Sequence, residues 1–162
     1  MTDDLDRLAA VLGERLKARG LVLATAESCT GGWAAQAVTS ISGSSDWFDR
    51  GFVTYSNAAK REMLGVSTQT LDRHGAVSEE TAREMAAGAI AASGAGVAVA
   101  VTGVAGPTGG TSAKPVGMVC FGWALRGGRV DTVTRHFVGD REAVRLQSVV
   151  FALNGILERI GA

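Results

Sequence analysis

Leu5, Leu8, Ala9, Leu12 and Leu16 recur every three to four residues and predict a first helix, with Asp3 and Asp4 as its caps and Gly20 as its stop. The apolar run Leu21–Ala26 then predicts a buried strand, and the turn Cys29-Thr30-Gly31-Gly32 opens a second helix over Trp33–Ser40. Phe48–Tyr55 reads as another strand, entered through the loop Gly43-Ser44-Ser45. Asn57 is placed to cap a short helix that carries Lys60 and ends at Gly65. A longer helix starts at Ser78, where Glu79 and Glu80 suit the positive end of the helix dipole, and runs to a stop at Gly94. Gly96–Thr102 is apolar without polar alternation, as expected of a strand covered on both faces. After the loop Gly103–Pro115 come two alternating runs, Val116–Leu125 and Arg129–Val138, joined by the hairpin signal Gly127-Gly128. An amphipathic helix over Arg141–Ile160 closes the chain.

Helix and strand alternate early, and a hairpin and helix come last. This order predicts the α/β class: a three-layer α/β/α sandwich with a mixed, mainly parallel sheet and a C-terminal antiparallel hairpin. No repeat or linker divides the chain, so one domain is expected over residues 1–162.

Composition narrows the function. Of 162 residues, 46% are hydrophobic and 20% charged, which excludes a disordered chain and suffices for a buried core. Sixteen basic residues balance sixteen acidic ones, so no net field favours nucleic acid or an anionic membrane. The charged N-terminal segment fits neither a signal peptide nor a membrane span, and the expected location is the cytoplasm. The two cysteines, Cys29 and Cys120, have no zinc or CxxC spacing, and reduced thiols are the simpler expectation. No His/Cys/Asp/Glu cluster has metal spacing, so neither a metal nor another cofactor is expected.

Ligands in open α/β sheets bind beyond the carboxyl ends of strands. Three such ends are rich in Gly, Ser and Thr. In Glu27-Ser28-Cys29-Thr30-Gly31-Gly32 the glycines allow close backbone approach, and the next helix offers free N–H groups to an anion or oxyanion. Either Ser28 or Cys29 stands where a nucleophile would gain from that field, although an ordinary strand–helix turn has the same look. In Tyr55-Ser56-Asn57-Ala58-Ala59-Lys60, a desolvated Lys60 would serve a serine as base, whereas most lysines on short helices are simply solvated. Thr102-Gly103-Val104-Ala105-Gly106-Pro107-Thr108-Gly109-Gly110 has neither the P-loop nor the dinucleotide-binding register. Arg141 and Arg145, four apart on the last helix, would make a phosphate clamp or merely a solvated face.

Taken in order, Ala26-Glu27-Ser28-Cys29-Thr30-Gly31-Gly32, Tyr55-Ser56-Asn57-Ala58-Ala59-Lys60, Gly75-Ala76-Val77-Ser78, Thr102-Gly103-Val104-Ala105-Gly106-Pro107 and Lys114-Pro115-Val116-Gly117 resemble the CinA C-terminal-domain family, from about Leu5 to Ile160. Members of that family include amidases that convert nicotinamide mononucleotide to nicotinate mononucleotide and ammonia. Many relatives carry the domain behind a molybdopterin-binding-like domain, and this chain looks like the stand-alone form. The resemblance implies Ser28 as nucleophile, Lys60 as its base and Tyr55 as a polar neighbour able to relay a proton. It further suggests Glu27, Thr30, Gly31, Gly32, Gly43, Ser45, Asn57, Thr102, Gly103, Gly106, Arg141 and Arg145 as substrate-positioning groups, with oxyanion donors near Gly31 and Gly32. The expected partner is a small-molecule nucleotide, with no nucleic acid or membrane. Apolar helices bearing Trp33 and Trp47 leave room for a homodimer. The rival expectation is a non-catalytic nucleotide-binding or competence-associated module, which needs the glycine loops but not Ser28 or Lys60.

Overall fold

The computed structural model describes residues 2–161, in the order α1 (Thr2–Ala18), β1 (Leu23–Glu27), α2 (Trp33–Thr39), a 3-10 turn (Ser44–Asp46), β2 (Phe48–Val53), α3 (Asn57–Leu64), α4 (Thr68–His74), α5 (Glu79–Ala91), β3 (Val97–Gly103), β4 (Met118–Leu125), β5 (Val130–His136) and α6 (Arg141–Ile160). The strands form one sheet in the order β2-β1-β3-β4-β5. β1 pairs in parallel with β2 and β3, while β4 is antiparallel to both β3 and β5. Four strands therefore share one direction and β4 alone runs against them, so the sheet is mainly parallel by strand direction although its pairings divide evenly.

The alternation in β3 explains the layering. Val97, Val99 and Val101 face one side with Leu23, Phe121 and Trp123, where α1, α2 and α6 cover them. Ala98 and Ala100 face the other with Ala24, Ala26 and Ala124, beneath α3, α4 and α5. The alanine side lets α5 lie directly on the sheet: a Cβ on Gly122 would stand 2.5 Å from the Ala82 carbonyl oxygen. Within α5, a Cβ on Gly88 would stand 1.9 Å from the Leu64 carbonyl oxygen at the end of α3. Helix propensity alone predicts that Gly88→Ala gains about 1 kcal/mol. The backbone clash reverses that sign, and Gly88→Ala should lose about 1–3 kcal/mol, read from the denaturant midpoint.

Several expected boundaries move. Asp3 and Asp4 lie inside the first turn of α1 rather than capping it. The α3 cap is Ser56, whose Oγ accepts from the Ala59 amide at 3.0 Å, and Asn57 is the first helical residue. α4 was not expected, because its seven residues bury only Leu71; Ser67 caps it. β4 and β5 are shorter than their alternating runs, and Val138 lies beyond β5, exposed. Trp47, one of the two proposed interface aromatics, is buried against Gly13 of α1.

No described helix is long and apolar enough to cross a membrane.

β1 passes the chain to β2 through α2 on one face, and β2 passes it to β3 through α3, α4 and α5 on the other. The direction of winding reverses at β1, so the crevice beyond its carboxyl end is where a ligand site belongs. Ser28 is the first residue past that end.

Candidate active site

Ser28 continues the β1 ladder by donating its N–H to the Val101 carbonyl of β3 at 2.9 Å. The chain then turns through Gly31 and Gly32, whose φ values of 61° and 108° are left-handed and disfavour any residue with a Cβ. α2 starts directly after, and its glycine cap has no side chain to receive the first amides. Glu27 takes that role. One carboxylate oxygen accepts from Thr30 Oγ1 at 2.6 Å and the Ala34 amide at 2.8 Å, and the other accepts from the Ala35 amide at 3.0 Å. This satisfies donors that a helix start leaves open and sets a negative charge at the positive end of the dipole.

Lys60 sits in the second turn of α3. Helical side chains lean toward their own N-terminus, which here carries Lys60 back to the end of β2. Its Nζ bonds Ser28 Oγ at 3.0 Å and the Thr54 carbonyl at 2.9 Å. Lys60 is 1% exposed and Ser28 8%. Burial holds the Lys60 ammonium below the ordinary lysine range, with the adjacent Cys29 thiol opposing that shift. An amine whose charged form is disfavoured by burial, within hydrogen-bond reach of a hydroxyl, is the arrangement a lysine base requires. Thr54, whose carbonyl helps hold Lys60, was not anticipated from the sequence; nothing in a lone threonine marks its carbonyl as an acceptor. Its own hydroxyl is buried with no partner among the described residues.

Cys29 is the other nucleophile considered. Its side chain is buried, and desolvation, with a smaller contribution from the Glu27 charge, pushes the thiol up to about 12. It remains protonated at neutral pH and, although Arg145 and Lys60 flank it, lacks the accessible setting of reactive cysteines.

The rim is built by α6. Arg141 Nη1 donates to the Gly106 carbonyl at 2.8 Å and Nη2 to the Tyr55 hydroxyl at 3.0 Å, linking the loops after β2 and β3. Arg145 donates from Nε to the Cys29 carbonyl and from Nη2 to the Thr30 carbonyl, both at 3.1 Å, with its guanidinium 5.5 Å from the Trp33 ring centre. Trp33 thus lies under Arg145. Neither arginine is in an ion pair with a described carboxylate, which leaves positive charge at the mouth of the site.

The anticipated residues divide into groups. Ser28 and Lys60 meet, and Tyr55, Gly106, Arg141 and Arg145 stand around them. Tyr55 is 61% exposed, and its hydroxyl is bonded to Arg141 rather than to Lys60 or Ser28, so no proton relay is built through it. Asn57 is exposed on the first turn of α3. Glu27, Thr30 and Thr102 face inward: the first two bond each other, and Thr102 Oγ1 donates to the Ala76 carbonyl at 2.8 Å. These three position loops instead of presenting free groups. Gly103 allows β3 to approach β4, since a Cβ there would stand 2.8 Å from the Met118 carbonyl oxygen. Gly43 and Ser45 do not belong to the site. They precede β2, whose first residue Phe48 pairs with Leu23, while the site lies past the Glu27–Val53 end. Among the described residues no group of three His, Cys, Asp or Glu side chains is placed to hold a metal ion.

The model of the CinA C-terminal domain family matches residues 5–160. A relative from Enterobacter agglomerans, described as "Nicotinamide-nucleotide amidohydrolase PncC", is 59% identical over 153 residues, 94% of this chain and 93% of its own. One of the same description from Escherichia coli K12 is 52% identical over 160 residues, covering 98% and 97%. Among solved structures, "competence/damage inducible protein CihA" from Agrobacterium tumefaciens superposes with a TM-score of 0.91 at 49% identity, over 94% of this chain and 93% of that one.

Proposed function

The chain belongs to the CinA C-terminal domain family, and on that footing we propose that it hydrolyses the carboxamide of nicotinamide mononucleotide to nicotinate mononucleotide and ammonia through an acyl-enzyme on Ser28. The observation that carries the proposal is the buried Lys60 amine 3.0 Å from Ser28 Oγ. The relatives described as amidohydrolases, at 52–59% identity over nearly their whole length, supply the substrate.

In the first half-reaction, neutral Lys60 takes the Ser28 proton as Oγ bonds to the carboxamide carbon, and the carbonyl π electrons move to oxygen. The tetrahedral intermediate collapses, the C–N bond breaks, and Lys60 returns its proton to nitrogen as ammonia leaves. In the second, water attacks the ester carbon while Lys60 takes one of its protons and passes it to Ser28 as the C–Oγ bond breaks, and the acid so formed loses water's other proton to solvent and departs as the carboxylate. The electron-poor pyridinium ring makes the carbonyl a better electrophile. Arg141, at the exposed rim, offers a charge-assisted contact to the phosphate.

Purified protein should release equimolar ammonia and nicotinate mononucleotide from nicotinamide mononucleotide. Binding without release would favour the non-catalytic nucleotide-binding module.

The base must be neutral, so kcat/KM should rise with pH and level off. Because burial lowers the Lys60 pKa from its ordinary 10.5, the neutral fraction at any pH exceeds that of a solvated lysine, and the rising limb should be centred below 10.5. A pH–rate profile checks this, and a limb centred at 10.5 would count against Lys60 as the base.

A further inference from the structure

Acyl transfer of this kind needs N–H donors aimed at the developing oxyanion. The sequence pointed to the start of α2, near Gly31 and Gly32, but most of that start is already engaged. Glu27 holds the Ala34 and Ala35 amides, the Gly31 amide donates to the Ser28 carbonyl at 3.0 Å, and the Trp33 amide donates to the Thr30 carbonyl at 3.0 Å. Among the described residues the amides of Cys29, Thr30 and Gly32 donate to no other residue, and that of Cys29 lies against its own thiol.

Arg145 decides where one of these points. The Cys29–Thr30 peptide is trans, so its carbonyl and its N–H, which belongs to Thr30, face opposite ways. Arg145, on α6, pins the Cys29 carbonyl toward its own side of the sheet at 3.1 Å. The Thr30 N–H is thereby turned from α6 toward the side from which Lys60, on α3 across the sheet, reaches Ser28. The Cys29 amide, directly after the nucleophile, is fixed in the same manner, because the Ser28 carbonyl of its peptide is held by the Gly31 N–H.

We propose that the oxyanion is held by the main-chain N–H groups of Cys29 and Thr30, and that Arg145 is the positioning residue that aims the Thr30 group, rather than a phosphate ligand. This rests on the amidase reading above. Both arginines are hydrogen-bonded within the protein, but Arg141 is exposed at the rim, whereas Arg145 is half-buried, with two donors on carbonyls of the turn after β1 and its guanidinium over Trp33.

The test measures kcat and KM for nicotinamide mononucleotide, and kcat/KM for its phosphate-free riboside, in wild type, Arg145→Ala, Arg145→Met and Arg141→Ala. Loss of an aimed oxyanion donor costs about 100-fold in kcat. Arg145→Ala and Arg145→Met should each lower kcat by about that factor, leave KM for the mononucleotide nearly unchanged, and weaken turnover of the riboside equally. Added guanidinium ion should restore part of the Arg145→Ala kcat. Arg141→Ala should instead raise KM for the mononucleotide far more than it weakens turnover of the riboside. If Arg145→Ala does not fold, Arg145→Lys serves: one donor remains, so kcat should fall less but on both substrates alike. A rise in mononucleotide KM at unchanged kcat, in any Arg145 variant, would return Arg145 to the phosphate and overturn the assignment. Wild-type protein that releases ammonia from neither substrate would instead remove the amidase reading itself, and this inference with it.

Discussion

Ser28→Ala is expected to bind nicotinamide mononucleotide and release no measurable ammonia from it, a loss in kcat of at least about 10⁴-fold. Lys60→Ala should match it, because a serine hydroxyl without its base is a poor nucleophile. The double variant should be little worse than either, since residues that act as one unit do not contribute additively. Cys29→Ala should keep most of its activity, as a thiol raised to about 12 has almost no thiolate to offer. The assay is ammonia release under saturating substrate, with binding followed separately by calorimetry. A dead Cys29→Ala beside an active Ser28→Ala would make the site a thiol amidase.

Glu27→Ala should be among the most destabilising single changes in the chain. Its carboxylate is buried and receives three hydrogen bonds, from Thr30 Oγ1 and the Ala34 and Ala35 amides. Truncation strands those donors away from water, at about 1–3 kcal/mol for each one left unsatisfied. Because neighbouring losses are not additive, a total of roughly 3–5 kcal/mol is expected, lowering the thermal midpoint by about 10 °C. Glu27→Gln keeps the shape but sets an NH₂ against an amide N–H, and should lose about half as much. Thermal unfolding followed by circular dichroism measures both. An unchanged midpoint with a raised KM would restore Glu27 to the substrate.

What the chain declares locally and what only the fold reveals differ along physical lines. α6 is legible in the sequence because its apolar period persists through twenty positions between Asp140 and Gly161. α4 was invisible because seven residues with one buried leucine carry no period. The nucleophile turn could be found from its glycines and from its place after a strand. Lys60, by contrast, reads locally as a solvated lysine, and it was the resemblance, not the spacing, that singled it out. Its burial depends on Thr54 and Ser28, the latter 32 positions away. Gly43 and Ser45 have the composition of a site loop, but whether the start of β2 lies beside the site end of β1 is undecided until strand directions are known. Glu27, Thr30 and Thr102 lie at the strand ends that carry the candidate site, with their polar groups engaged within the chain. Whether a polar group there faces a ligand or its own chain depends on which backbone donors and acceptors the fold leaves open, and residue type does not encode that.

The buried Cys29 has a consequence for how the protein would fare under oxidative stress. Peroxide attacks thiolate, and at pH 7 a thiol at about 12 is ionised in only about one molecule in 10⁵. A sulfenic acid should therefore form extremely slowly next to Ser28, and on the amidase reading peroxide would not silence this step through Cys29 as it silences enzymes that depend on an exposed cysteine. Burial raises the Cys120 thiol as well, against an opposing hydrogen bond to Thr134. Turnover would then respond to substrate supply and pH more than to oxidation of either buried cysteine.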